Sequence, residues 1–62
     1  MNGKIVRIIS QKGFGFIKGE GIKEYFFHRD DIYPINFNDI KVGQLVTFEP
    51  FEADKGPRAI DI

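Results

Sequence analysis

The chain has no cysteine, and that absence removes both disulfide stapling and thiolate metal sites. It has one histidine, too few to build a zinc site alone, and its carboxylates show no metal-ligand spacing. No apolar run approaches the length needed to cross a bilayer. Met1-Asn2-Gly3-Lys4 lacks the apolar stretch of a secretion signal, so a cytoplasmic location is expected. There is also no excess of one charge. Nine Lys and Arg balance nine Asp and Glu, so no global field draws a polyanion to this protein. Helical periodicity is missing as well. Sixty-two residues without it make one domain, residues 1–62, near the lower size limit for folding alone.

What is present is aromatic, and it is oddly placed. Lys12-Gly13-Phe14-Gly15-Phe16-Ile17 reads as a strand in which side chains alternate between faces. Ile17 is the natural core residue, with Gly15 on its side. Phe14, Phe16 and Lys18 are then left on the opposite face. Tyr25-Phe26-Phe27-His28 repeats the arrangement. If Tyr25 and Phe27 face the core, Phe26 and His28 join the outer face. A sheet with rings and cations on its open face is a stacking platform for unpaired bases. The plain alternative, that these phenylalanines are core, conflicts with Ile17 and Phe27 already claiming the inner face.

The rest of the chain supplies short strands and turns. Residues 5–9 form a β-branched run, 15–18 a second strand, and Gly19-Glu20-Gly21 a turn. Glu24–His28 is the third strand. Asp30-Asp31-Ile32 reads as a single helical turn, with Asp30 suited to capping it. Residues 33–41 form a long loop anchored by Tyr33, Ile35 and Ile40. Residues 45–51 form the fourth strand, with Val46 and Phe48 inward, Phe51 as packing, and Pro50 marking an irregular or edge end. A loop over 53–57 leads to a final strand over 59–62. Five short strands predict an all-β, five-stranded antiparallel barrel. The adjacent Asp30 and Asp31 are not a catalytic pair, since side chains in a cap point apart and no nucleophile is nearby. Gly13-Phe14-Gly15 is not a dinucleotide fingerprint either, because Lys18 stands where the third glycine would fall.

These motifs together resemble the cold-shock domain, a barrel of the oligonucleotide-binding type that grips single-stranded RNA and DNA. Lys12 to Ile17 is similar to that family's first ribonucleoprotein motif and Tyr25 to His28 to its second. The likeness continues through Gly43-Gln44, Phe48 and Lys55-Gly56-Pro57-Arg58-Ala59. The RNA-recognition motif carries a similar octapeptide, but it needs two helices and places the two motifs in the opposite order. The cold-shock resemblance implies base stacking by Phe14, Phe16 and Phe26, with His28 stacking or hydrogen bonding beside them. It implies that Lys12 and Lys55 lie near the bound strand, and that Arg58 reaches phosphate or stacks on a base. Phe37 falls where the family often has a loop aromatic; a plug closing the barrel is an equal alternative.

Two positions depart from the family. Its usual Trp-Phe pair in the first strand is replaced here. A gapless register puts Arg7 and Ile8 there, and a one-residue deletion puts Ile8 and Ile9 there. In both cases Ile8 is expected beside a base. The Phe that often follows the histidine is Arg29, whose guanidinium can stack and pair with phosphate, offsetting part of the loss. A non-enzymatic monomer is expected, binding single-stranded RNA or DNA and acting as an RNA chaperone, with no cofactor, membrane or small-molecule substrate. The competing reading is a protein-interaction module using the same aromatic face.

Overall fold

In the computed structural model, described over residues 1–32 and 36–62, the chain forms six strands and three short 3-10 turns. The strands are β1 (Asn2–Ile9), β2 (Phe14–Lys18), β3 (Glu24–His28), β4 (Leu45–Thr47), β5 (Glu49–Ala53) and β6 (Gly56–Ile60). Tyr33 and Ile35, expected to pack, lie outside the described residues, as does Pro34. The all-β class holds. The strand count differs from five because the expected strand over 45–51 breaks at Phe48. That residue is buried and leaves the ladder between β4 and β5.

One mixed sheet contains all six strands in the order β4-β1-β2-β3-β6-β5. The pairs are antiparallel except β3 with β6, which runs parallel through Phe26 and Arg58. No ladder joins β4 to β5 among the described residues, so the sheet is not hydrogen-bonded shut. It is strongly curled all the same. β4 and β5 are the two outer strands, yet only Phe48 separates them in the chain. Met1 fastens this seam: its ammonium donates to the Phe48 carbonyl at 2.7 Å, and the Phe48 N–H donates to the Met1 carbonyl at 2.9 Å.

Inside the curl lie Ile5, Ile17, Tyr25, Phe27, Ile32, Ile40, Phe48 and Ala59. The alternation expected for β2 and β3 is therefore realised, with Ile17, Tyr25 and Phe27 inward. Gly15 sits under the Phe27 ring. A Cβ there would come within 2.8 Å of it, so no larger residue fits without repacking. Phe51 departs from expectation at 52% exposed. It lies on β5, an edge strand that among the described residues pairs with β6 alone, and the break at Phe48 removes it from the core alternation. Pro50, without an N–H, suits that edge.

Three further details correct the expected layout. Residues 53–57 are not an open loop. Ala53 pairs with Gly56, so Asp54 and Lys55 form a tight hairpin turn, and β6 begins at Gly56 rather than at 59. Among the described residues, the Asp30 side chain makes no capping bond to the turn after β3 (Arg29–Ile32). The His28 ring makes one instead, its Nδ1 accepting from the Asp30 N–H at 3.2 Å. Finally, β1 carries a bulge between Ile5 and Arg7. An extra residue reverses the alternation that follows it. Ile5 and Ile8 both turn inward, and Arg7 crosses to the outer face opposite Phe16.

Candidate nucleic-acid interface

The outer face of β2 and β3 gathers three half-buried rings. Phe14 and Phe16 lie two residues apart on β2, and Phe26 stands opposite Phe16 on β3. Their centroids are 5.3 Å apart for Phe14–Phe26, 6.0 Å for Phe16–Phe26 and 6.2 Å for Phe14–Phe16. The two contacts made by Phe16 are edge-to-face, the favourable arrangement for aromatic quadrupoles. Each ring is thus held by its neighbours while one side stays open to solvent.

Polar groups border this cluster on each side. At one end His28 pairs with Phe14 across the β2–β3 ladder. Because its Nδ1 accepts a hydrogen bond, the ring proton belongs on Nε2, which leaves a donor. Arg29 joins the same end: its N–H donates to the Gly13 carbonyl at 2.9 Å, and its stem lies against Gly13. Gly13 itself has φ of 71°, a left-handed turn that favours glycine, and it carries Lys12 alongside. Lys12 and Arg29 are both exposed.

At the β6 border Arg58 stands beside Phe26, its guanidinium carbon 5.9 Å from the ring centroid. Its Nε and Nη2 donate to Asp31 Oδ2 and Oδ1, both at 3.2 Å. Lys55 lies on the adjoining hairpin turn. Together with Phe16, Phe26 and Pro57, these residues line a cleft of about 470 Å³. Lys18 shares the face of Phe16 but points toward a separate groove bordered by Leu45 and Val46. Phe37 is not part of the ring cluster. It packs against the core, its centroid 6.2 Å from that of the buried Phe27, as a plug would.

Arg7 and Asp31 are the residues that sequence reasoning missed. Arg7 is exposed opposite Phe16, with its guanidinium carbon 5.5 Å from that ring's centroid. The gapless register, which set Arg7 at the family's tryptophan position, was the available signal. Ile8, expected beside a base, instead packs against the core, because the bulge reverses the parity of β1. Asp31 had no such signal, since its partner Arg58 is 27 residues away. Elsewhere, a 2.6 Å hydrogen bond from Lys23 to Glu52 ties the β2–β3 connection to β5 and holds the Lys23 ammonium above its ordinary pKa. Among the described residues no group of His, Cys, Asp and Glu is placed to hold a metal ion, and no helix is long and apolar enough to cross a membrane.

A family model described as the 'Cold-shock' DNA-binding domain matches residues 1–62. The chain belongs to the cold-shock domain family. It is similar to the cold shock-like protein CspB of Bacillus cereus, 37% identical over 62 residues, covering all of this chain and 95% of that protein. It is 38% identical over 61 residues to the cold shock protein CspD of Bacillus subtilis, covering 98% of this chain and 92% of the relative. It is 40% identical over 53 residues to the cold shock protein CspA of Staphylococcus aureus, covering 86% and 80%. This is a family of nucleic-acid-binding proteins, not of enzymes.

Proposed function

We propose that this cold-shock domain binds single-stranded RNA or DNA by stacking unpaired bases on Phe14, Phe16 and Phe26, and that it acts in the cytoplasm, as a monomer, as an RNA chaperone. The ring cluster carries the reading: three aromatic side chains share one open face, bordered by cations, beside a cleft of about 470 Å³. His28 stacks or donates from Nε2, while Lys12, Arg29 and Lys55 follow the backbone. Lys18 extends the track toward β4. Phe37 reaches a base only with whatever part of its ring packing leaves open. Each stacked base contributes about 1–3 kcal/mol, and because every base has a π-face, broad sequence tolerance follows.

The test is the anisotropy of a labelled single strand titrated at low and moderate salt, with a duplex of the same sequence as control. Preferential binding of the single strand, and faster melting of a weak RNA hairpin in its presence, are the expected results. If neither strand form binds, the protein-interaction reading, which net neutrality favours, replaces this one.

A further inference from the structure

The geometry points to Arg58, oriented by Asp31, as a specificity-determining residue that makes the Phe26 end of the platform select guanine. This rests on the stacking reading above and adds to it a preferred base.

Arg58 is restrained three times over. The parallel pairing of Phe26 with Arg58 sets its backbone beside the ring. The Asp31 carboxylate takes Nε and Nη2 side-on. Asp31 is itself fixed, because its Oδ2 also accepts from the His28 N–H at 2.8 Å and its side chain is only 11% exposed. A guanidinium has five N–H donors in one plane, and the side-on contact uses two of them. Three remain, and two of these lie parallel across the Nη1–Nη2 end. Arg58 keeps 39% of its side chain exposed and lines the cleft beside Phe26, so this free end is what it offers to a ligand there.

A paired guanidinium is a poor phosphate anchor. Its charge is already balanced by Asp31, and the Asp54 carboxylate lines the same cleft. Two fixed, parallel donors suit a neutral base edge with two adjacent acceptors. Guanine has such an edge at O6 and N7. Adenine sets a donor beside N7, and uracil separates its two carbonyls with an N–H. Cytosine offers N3 and O2 but a smaller ring to stack on Phe26. Guanine alone also carries the neighbouring N1–H and N2–H donors that a carboxylate such as Asp54 accepts. The expected order is guanine, then cytosine, with adenine and uracil last.

The experiment measures Kd for wild-type protein with a short oligouridine and with the same strand carrying one central guanine, cytosine, adenine or 7-deazaguanine. A bound strand can slide, so the single variant base reaches the Phe26 subsite. One guanine should tighten binding about ten-fold over uracil, the scale of a bidentate contact, and 7-deazaguanine should lose most of that gain. In Asp31→Ala and Arg58→Gln, each checked for folding by circular dichroism, the guanine-to-adenine affinity ratio should fall toward one. The analogue comparison uses unmodified protein, so it stands even if a variant fails to fold. Equal affinity for all four bases, or full retention of the gain by 7-deazaguanine, overturns the assignment while leaving stacking intact. Failure of every strand to bind, oligouridine included, removes the stacking reading and this one with it.

Discussion

The two borders of the ring platform carry the same device in different electrical states. On the β1 side Arg7 lies over Phe16, and on the β6 side Arg58 lies over Phe26, at similar ring distances. Arg58 is gripped by Asp31, whereas among the described residues Arg7 makes no ion pair. A cation on an aromatic face can therefore serve two ends. An unpaired guanidinium keeps its charge and its mobility, which suits a phosphate or a base of any kind. A paired one gives up charge and gains orientation, which suits a particular base edge.

β3 divides a core face from an outer ring face, and the largest expected effect tests that division. Phe27→Ala should lower unfolding free energy by about 3–5 kcal/mol in urea titrations, as loss of a buried ring does. Phe26→Ala should keep a cooperative transition and lose binding instead, by about 1–3 kcal/mol, with Phe14→Ala and Phe16→Ala similar. Comparable unfolding by all four variants would erase the distinction between the faces.

The β1 border can be tested by moving a ring along the strand. Arg7→Trp should tighten single-strand binding by up to about 1–3 kcal/mol, because position 7 faces the platform and an indole adds a stack. Ile8→Trp should give no such gain and should cost about 1–3 kcal/mol of stability by overpacking the core side. Tighter binding by the Ile8 variant would place the bulge in the wrong register.

The smallest effect separates the two arginines directly. With about two to four phosphates neutralised, log Kobs against log salt should slope at roughly −1.5 to −3. Arg7→Gln should make that slope shallower by about 0.7, one phosphate on a single strand. Arg58→Gln should change it clearly less, since Asp31 already balances the charge. Equal changes from the two variants would mean that the Asp31 pair opens when nucleic acid arrives.

The division of β2 and β3 into faces was legible in the chain because strand alternation is a local property. Residues i and i+2 share a side wherever the ladder is regular, and here it is regular from Phe14 to Lys18 and from Glu24 to His28. The same rule failed on β1. That strand pairs with β2 from Lys4 to Ile9, and the bulge lies inside this ladder, just past the three residues that pair with β4 on the other edge. No side chain near Val6 announces it.

Residue identities alone therefore determined that rings must gather on one outer face, that Ile17 and Phe27 must be inside, and that no disulfide holds the core. Which residue of the Trp-Phe region reaches the platform was settled by the fold alone, since it depends on a bulge within the β1–β2 ladder that no residue type marks. The fold likewise decided that Phe51 is outside, because the sheet edge breaks at Phe48. And it decided that Arg58 is a held donor rather than a free charge, because Asp31, 27 residues earlier, meets it only when β6 comes back alongside β3.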